Sequence, residues 1–263
     1  MRGANLVSTP DSPVRRALSP AYTSLQYALT GGRGVDAEIN GQVYRIDPRY
    51  RWRLHPCYEA DVADFLRARV KAGQCCIDVG ANIGIYVLQM SRWTRGGRVV
   101  AFEPNPRSLE VVARHVRMNG LDDTVTLVPA AAGREEGSAR LFDVEPGSGL
   151  SRLGAANPAI PGVVEGAAVR VTTIDAWCAA SGVRPDWILV DVEGYEFDVL
   201  AGARDTIRQW RPNIVVELHP HLYPDGAATE LEGRRLLAEL QLRPVPIGNP
   251  DRDPWSVGAV SLE

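Results

Sequence analysis

The sequence predicts an α/β fold with a mostly parallel central sheet flanked by helices and a small N-terminal β cap. From residue 75 onward, short apolar runs typical of buried strands alternate with segments of helical periodicity. Of the 263 residues, 45% are hydrophobic, which is enough to build a buried core. Because strands and helices alternate, the strands should lie parallel and be joined by right-handed crossovers.

Residues 1–54 are predicted to form an N-terminal arm and the β cap, ahead of a main domain at 55–263. Residues 1–34 are rich in Ser, Pro, Arg and Gly and contain one short helical segment at 22–29. Asn40 and Gly41 lie between two strand-like runs, a pattern typical of a tight β-hairpin. We therefore expect a two-stranded cap at 37–47.

Within the main domain, strands and helices are expected to follow one another with short connections. A first helix is predicted at 59–69, because its apolar positions recur at helical spacing. Further strands are predicted at 75–79, 99–102, 125–128, 187–190 and 214–218, and further helices at 83–93, 106–118, 174–180, 197–209 and 228–240.

The interval 134–173 interrupts this alternation. It contains two strand-like runs, at 138–144 and 168–173, around a loop at 145–166 that is rich in Gly, Pro and Ser. A loop of this length in a compact domain is usually functional or disordered. After the last helix, 244–247 and 258–262 are predicted to pair as a terminal hairpin.

The turn after the first strand of the main domain points to a ligand. The apolar strand runs through Asp78 into a small-residue turn at 80–84 that opens a helix. The next strand stops at Glu103, where a carboxylate can accept hydrogen bonds from both hydroxyls of a ribose. The turn and this carboxylate together predict an adenosine-containing cofactor.

Two residues distinguish between adenosine cofactors. A dinucleotide fold usually has three glycines in this turn for its pyrophosphate, whereas here Asp78 precedes the turn and Asn82 occupies its middle. A carboxylate repels pyrophosphate and attracts S-adenosylmethionine, which carries a sulfonium and an α-amino group. We therefore predict a methyl donor, and an NAD-dependent oxidoreductase is the disfavoured alternative.

Short motifs follow the predicted elements in a fixed order. They are YE at 58–59, DVGANIG at 78–84, FEPN at 102–105, NG at 119–120, AAAG at 130–133, DVEG at 191–194 and ELH at 217–219. In order and spacing they resemble the FkbM-type methyltransferases over roughly residues 55–242. The resemblance implies a class I Rossmann-like methyltransferase fold and methyl transfer from S-adenosylmethionine to a hydroxyl of a natural product or a sugar.

Residues at the carboxyl ends of the strands are predicted to bind the cofactor, because ligands of open α/β sheets lie there. Asp78 is expected to hold the methionyl amino group, Glu103 the ribose, and Ala130 and Ala131 the adenine. Alternatively, a glycine in such a turn can be needed only for its positive φ or for close packing, and a carboxylate after a strand can serve only to cap the next helix. The predicted cofactor-binding set is Glu59, Asp78, Gly80, Asn82, Gly84, Glu103, Asn105, Ala130, Ala131 and Asp191.

The predicted catalytic residues follow the fourth and fifth strands and are Asp191, Glu193, Glu217 and His219. Asp191 is expected to contact the cofactor or the acceptor hydroxyl, and Glu193 to orient it or to cap the next helix. Glu217 and His219 alternate along one strand and therefore point to one face. His219 is the best candidate for a general base because its unperturbed pKa lies near neutrality, although it could simply bond a backbone carbonyl.

The same four residues could instead gather a divalent cation that lowers the pKa of the acceptor hydroxyl. Their spacing is not diagnostic of a metal site, so no metal ligand is predicted. A non-catalytic protein that binds an adenosyl ligand is a second alternative function. It would keep the turn and bind the ligand without turnover.

Composition limits the classes of binding partner and the cellular compartment that we expect for this protein. A formal net charge of −3 gives no basic field, which disfavours nucleic acid and anionic membranes as partners. The four cysteines lack metal-like spacing and are expected to be reduced. Residues 1–19 lack the apolar core of a secretory leader. No run of the sequence approaches the ~18 apolar residues of a membrane span. We expect a cytoplasmic monomer or homodimer that acts on a small-molecule hydroxyl acceptor.

Overall fold

The computed structural model of the protein describes residues 27–28, 30–51, 54–143, 152–153, 164–223 and 225–263. Within these residues the strands form a two-stranded, a seven-stranded and a four-stranded sheet. The predicted helix at 22–29 and the predicted loop at 145–166 lie almost entirely outside the described residues.

The predicted hairpin is confirmed as β1 (Val35–Ile39) and β2 (Gln42–Ile46). The two strands pair antiparallel, and Asn40 and Gly41 between them have φ values of 50° and 75°. Left-handed values at both positions are those of a tight hairpin turn. The hairpin's buried face shares a hydrophobic cluster with helices of the main fold, so the cap is anchored on that fold.

The main fold alternates strands and helices in the predicted manner. In chain order its elements are α1 (Ala60–Arg69), β3 (Cys75–Val79), α2 (Ile85–Thr94), β4 (Arg98–Phe102), α3 (Pro106–Met118), β5 (Val125–Val128), β6 (Ala131–Ala132), β7 (Gly137–Asp143), β8 (Arg152–Leu153), β9 (Val164–Thr172), α4 (Ile174–Ser181), β10 (Trp187–Val190), α5 (Glu196–Ala201), α6 (Arg204–Trp210), β11 (Asn213–Leu218), a 3-10 helix (Pro220–Leu222), α7 (Ala227–Leu240), β12 (Pro244–Pro246) and β13 (Gly258–Leu262).

The seven-stranded sheet has the order β12-β13-β11-β10-β3-β4-β5. The five strands from β11 to β5 pair in parallel, and β13 joins β11 antiparallel. The terminal hairpin is confirmed as β12 and β13. The mostly parallel sheet predicted from the alternation of strands and helices is therefore present.

Helices cover both faces of this sheet, which explains why its central strands are apolar throughout. Along β3, Ile77 and Val79 pack in a cluster with α4, α5, α6 and α7. Cys76 packs on the opposite face in a cluster with α1, α2 and α3. Because side chains alternate along a strand, Asp78 lies on the same face as Cys76, toward α1 and α2.

The interval that interrupts the alternation forms the four-stranded sheet, in the order β6-β9-β7-β8. β7 and β9 are the two predicted strand-like runs, and they pair antiparallel. Leu141 of β7 and Leu153 of β8 pack in a small cluster with Ala131, which directly follows the strands of the large sheet. The second sheet therefore lies beside the carboxyl edge of β5.

The predicted single helix at 197–209 is wrong, because the chain forms two helices, α5 and α6, that meet at Gly202. The Gly202 carbonyl accepts a hydrogen bond from the Asp175 N–H at 2.9 Å. The Asp175 carboxylate accepts hydrogen bonds from the N–H groups of Asp205 and Thr206, at 3.0 and 2.7 Å. A side chain of α4 thus caps a new helix start, a contact that local sequence does not reveal.

The cysteines and the helices agree with the expectations from composition. Cys57, Cys75, Cys76 and Cys178 are free thiols, as expected. Within the described part of the chain, no helix has both the length and the apolarity needed to cross a bilayer.

Candidate active site

A cleft of about 630 Å³ opens at the carboxyl ends of β3, β4 and β10. Its position is the one at which open α/β sheets bind ligands. Six of the predicted site residues line it: Gly80, Asn82, Glu103, Ala131, Asp191 and Glu193.

The turn between β3 and α2 forms one wall of the cleft. Gly80 has a φ of 90°, and a Cβ atom there would overlap the carbonyl oxygen of Asp191. The N–H groups of Gly80 and Ala81 donate to the Phe102 carbonyl at 3.0 and 3.1 Å. Only glycine fits this position, because the neighbouring strand ends leave no space for a side chain.

Two further residues of the turn, Asn82 and Gly84, also have left-handed backbone. Asn82 has a φ of 50°, which asparagine adopts more readily than most residues. Gly84 has a φ of 83° at the N-cap of α2, and a Cβ atom there would lie 3.0 Å from Val112 of α3. Gly84 therefore serves the packing of α2 on α3, whereas Asn82 faces the cleft.

Glu103, at the end of β4, stabilises the turn through hydrogen bonds. Its Oε2 accepts a hydrogen bond from the Asn82 N–H at 2.6 Å, and its Oε1 accepts one from the Asn105 N–H at 2.8 Å. The side chain is buried yet lines the cleft. Glu103 thus holds the turn in addition to the ribose contact that we predict for it.

Five residues of the predicted cofactor set are not part of the cleft lining: Glu59, Asp78, Gly84, Asn105 and Ala130. Asn105 caps α3, since its Oδ1 accepts a hydrogen bond from the Arg107 N–H at 3.0 Å. Ala130 is fully buried in the core of the large sheet. Asn105 contacts the predicted set through its backbone N–H, which donates to Glu103, and Ala132 rather than Ala130 lines the cleft beside Ala131.

Asp78 and Glu59 lie behind the turn, on the α1 and α2 side of the sheet. Asp78 is 2% exposed, and its Oδ2 has no hydrogen-bond partner in the described chain. Burial and the charge of Glu59 raise the pKa of Asp78 to about 7. The Glu59 carboxylate accepts a hydrogen bond from the Tyr86 hydroxyl at 2.8 Å, while desolvation and the charge of Glu217 raise its pKa.

The register of strands β3, β10 and β11 places a second group of residues next to the turn. The last paired row across β3, β10 and β11 consists of three valines. The following row contains Gly80, Asp191 and Glu217, so these residues are neighbours at the edge of the sheet. His219 follows Glu217 by two positions and lies on the same face.

His219 is the centre of this group and is 6% exposed. Its Nε2 lies 3.9 Å from Asp191 Oδ1, 3.7 Å from Glu193 Oε2 and 3.9 Å from Glu217 Oε1. Its Nδ1 lies 2.8 Å from Glu196 Oε1. Because a carboxylate can only accept, Nδ1 carries a proton and Nε2 faces the other three carboxylates. We call these five residues the acid–histidine cluster.

The charges of the acid–histidine cluster are unbalanced. Burial lowers the pKa of His219, but the bond to Glu196 and the charges of Glu193 and Asp191 outweigh burial and raise this pKa to about 9. Burial and the charge of Glu217 raise the pKa of Asp191 well above its usual value, although His219 opposes this. The raised pKa favours the protonated imidazole, which disfavours His219 as a general base in the unliganded protein.

Glu196 is the member of the cluster that sequence reasoning missed. It is fully buried at the start of α5, and its Oε1 also accepts a hydrogen bond from the Gly194 N–H at 2.8 Å. An acidic residue in the first turn of a helix is usually explained by the helix dipole, which concealed its role. The available signal was a third acid within five residues of Asp191.

Six cleft-lining residues were also not predicted: Pro104, Ser108, Ala132, Leu141, Leu153 and Val192. Leu141 and Leu153 belong to the four-stranded sheet and give the cleft an apolar side. The sequence predicted the two main strands of this sheet but not that the sheet borders the cleft.

Comparison with known proteins identifies a family. A sequence model of the FkbM methyltransferase domain matches residues 78–242, which include all the cleft-lining residues and the acid–histidine cluster. The hexuronic acid methyltransferase AglP of Haloferax volcanii is 27% identical over 212 residues, which cover 78% of this chain and 82% of that protein. Methyltransferase 1 of Beauveria bassiana is 27% identical over 158 residues, covering 54% of this chain and 63% of that protein.

A solved structure agrees in fold. The crystal structure of methyltransferase FkbM from Methylobacillus flagellatus superposes with a TM-score of 0.51 at 17% identity, over 82% of this chain and 52% of that one. This chain thus spans about half the length of that protein. The predicted Rossmann-like methyltransferase fold is confirmed. Because the domain match covers more than half of the sequence, the chain belongs to the FkbM methyltransferase family.

Proposed function

We propose that the protein transfers a methyl group from S-adenosylmethionine to a hydroxyl of a sugar or another small molecule. One observation carries the proposal: the turn at 80–84 and the acid–histidine cluster meet at Asp191. The backbone of Asp191 adjoins Gly80, and its carboxylate faces His219. A cofactor held by the turn would therefore lie next to groups that can orient an acceptor.

S-adenosylmethionine suits the cleft in charge and in polarity. Carboxylates of Glu103, Asp191 and Glu193 line it, and Asp78 lies just behind it with an unpartnered oxygen. These charges favour a ligand with a sulfonium and an amino group and disfavour a pyrophosphate. Ala131 and its apolar neighbours in the four-stranded sheet offer a surface for adenine.

Each residue has a defined task in this proposal. When bound, S-adenosylmethionine supplies an electrophilic methyl group on a good leaving group. Asp191 is placed to accept the proton of the acceptor hydroxyl, because this residue lines the cleft beside the turn. His219, held by Glu196, orients Asp191 and Glu193.

Positioning should contribute more than proton transfer. Orientation of two reactants can lower a barrier by about 7–11 kcal/mol, whereas a general base typically contributes about 10²- to 10⁴-fold in rate. The named substrate class of AglP, a hexuronic acid, supports a sugar acceptor. A sugar hydroxyl also suits a cleft with both acidic and apolar walls.

Calorimetric titration with S-adenosylhomocysteine, with NAD as the control, tests the cofactor. We expect saturable binding of S-adenosylhomocysteine and no binding of NAD. Release of S-adenosylhomocysteine from S-adenosylmethionine should then rise when hexuronic acids or their glycosides are added. Preference for NAD, or no binding of either ligand, would refute the proposal. Binding without turnover on any hydroxyl acceptor would indicate the non-catalytic alternative.

A further inference from the structure

We propose that Asp191, Glu217 and His219 bind a divalent transition-metal ion at the inner side of the cleft. The geometry of these side chains alone supports the site. Its role in catalysis rests on the proposed function, because the ion would bind the acceptor hydroxyl.

The three side chains present ligand atoms at suitable separations. One imidazole nitrogen and two carboxylate oxygens lie within 4.8 Å of one another. His219 Nε2 is 3.9 Å from both Asp191 Oδ1 and Glu217 Oε1. Ligands at about 2.1 Å from a shared ion stand roughly 3–4.2 Å apart, so small side-chain rotations would accommodate an ion.

His219 is held in the way that a metal-binding histidine is held. It is 6% exposed, and its Nδ1 proton is donated at 2.8 Å to Glu196, which is fully buried. Carboxylates in this position orient imidazoles toward metals and raise their basicity. Within the described chain, Nε2 makes no hydrogen bond and points at the carboxylates. A buried imidazole that is held in one orientation, with Nε2 aimed at the Asp191 and Glu217 carboxylates, is the second observation that points to a ligand.

Asp191 contributes an unsatisfied oxygen. Its Oδ1 is buried, has no hydrogen-bond partner among the described residues, and faces His219 Nε2. Neither Asp191 nor Glu217 pairs with a Lys or Arg side chain in the part of the chain that the structure describes. The cluster holds four carboxylates around one imidazole, and a divalent cation would offset this charge.

The mixed ligand set selects the kind of ion. Mg²⁺ and Ca²⁺ prefer oxygen ligands alone, whereas one imidazole with two carboxylates suits first-row ions such as Mn²⁺, Fe²⁺ or Zn²⁺. Three protein ligands leave coordination positions open for an acceptor oxygen. An ion at this position would lower the pKa of a bound hydroxyl, next to the part of Asp191 that lines the cleft.

Mn²⁺ binding to the chelator-treated full chain tests the site, with free Mn²⁺ measured by its paramagnetic resonance signal. We expect about one bound ion per chain in the wild-type protein, and at least a 10-fold weaker affinity in Glu217→Gln. Glu110→Gln is the matched control, because Glu110 is an exposed acid on α3 outside the cluster, and this variant should bind Mn²⁺ like the wild type. Circular dichroism establishes that each variant is folded.

Failure of saturable binding by the wild type, or equal affinity in Glu217→Gln and Glu110→Gln, would overturn the metal site. If Glu217→Gln does not fold, Asp191→Asn serves as the second variant with the same expectation. Titration of the same samples with S-adenosylhomocysteine separates the two proposals. S-adenosylhomocysteine binding without Mn²⁺ binding refutes the metal site only, and Mn²⁺ binding without S-adenosylhomocysteine binding refutes the cofactor only.

Discussion

The turn at 80–84 and the acid–histidine cluster are neighbours in space but are stabilised in opposite ways. In the turn, both oxygens of Glu103 accept hydrogen bonds from backbone N–H groups. In the cluster, one oxygen of Asp191 and one of Glu196 are buried without hydrogen-bond partners among the described residues. Buried polar groups without partners cost free energy, and a ligand that supplies the missing partner recovers it.

The turn and the cluster should therefore respond to different kinds of substitution. The turn is complete without a ligand and acts through backbone shape, so it should be sensitive to added atoms. The cluster is incomplete without a ligand and acts through charge, so it should be sensitive to the removal of a charge. Asp191 belongs to both, since its backbone adjoins the turn and its carboxylate faces the cluster.

The largest effect is expected from Gly80→Ala. The added methyl group would overlap the Asp191 carbonyl, and the φ of 90° would be strained for alanine. We expect destabilisation by roughly 3 kcal/mol and loss of measurable S-adenosylhomocysteine binding. Urea unfolding and calorimetry would measure these two quantities.

Gly73→Ala is the matched control for Gly80→Ala. Gly73 has a similar φ of 81°, but a Cβ atom there would meet no atom within 4 Å. This variant should show only the conformational cost of about 1 kcal/mol and bind S-adenosylhomocysteine normally. Equal effects of the two substitutions would show that strand-end packing at Gly80 is unimportant.

Asp191→Asn should separate turnover from cofactor binding. It keeps the shape of the side chain but removes the proposed proton acceptor, so the rate should fall by about 10²- to 10⁴-fold. Affinity for S-adenosylhomocysteine should change less than about 10-fold, and stability should not decrease because a repelled charge is removed. A loss of affinity as large as the loss of rate would place Asp191 in cofactor binding alone.

Glu103→Gln and Asn105→Ala compare two adjacent parts of the turn. Glu103→Gln replaces one of two carboxylate acceptors by an NH₂ group, which should weaken S-adenosylhomocysteine binding by about 10-fold or more and destabilise the fold by roughly 1–3 kcal/mol. Asn105→Ala removes only a helix cap and should cost about 1 kcal/mol with little change in affinity. Calorimetry and urea unfolding of both variants would show whether Asn105 contributes to binding.

His115 is a buried histidine beside the turn, and its contribution depends on pH. Its Nδ1 donates to the Ile83 carbonyl at 2.7 Å, and its Nε2 accepts the Asp47 N–H at 2.9 Å. Burial lowers its pKa from 6.5 to about 4, in spite of the Ile83 carbonyl and the charge of Asp47, so its direction of shift is opposite to that of His219. The neutral imidazole is therefore the form that the folded protein keeps.

This depressed pKa predicts how stability depends on pH. The unfolded chain takes up the proton at about pH 6.5 and the folded chain only near pH 4, so the contribution of His115 is complete above pH 6.5 and is lost as the pH falls toward 4. Between pH 7 and pH 5 the loss should be about 2 kcal/mol. Urea unfolding at both pH values should show a smaller difference in His115→Gln. An equal difference in both proteins would contradict the role of His115.

Much of the fold was predictable because its signals are local. The hairpin at Asn40 and Gly41, the turn at 80–84 and the alternation of strands and helices each depend on neighbouring residues in the chain. The positions of Glu103, Asp191 and Glu217 at the edge of one sheet followed from strand ends, since parallel strands share their carboxyl edge.

Other features arose only from contacts between distant segments. The break between α5 and α6 depends on Asp175, and the apolar side of the cleft depends on the packing of β7 and β8. The path of the chain after β5 places Ala131 in the lining of the cleft and Ala130 in the core. None of these contacts is encoded in a short window of sequence.

The sequence by itself determined the alternation of strands and helices, the turn at 80–84 and the acidic residues that follow the strands. Only the tertiary structure decided what those acids do together. It placed Glu196 beneath His219, aligned Asp191 with Glu217 through strand register, and left both of these acids without a Lys or Arg partner within the described chain. Charge and desolvation depend on all neighbours in space, whereas strand and helix periodicity depends on neighbours along the chain.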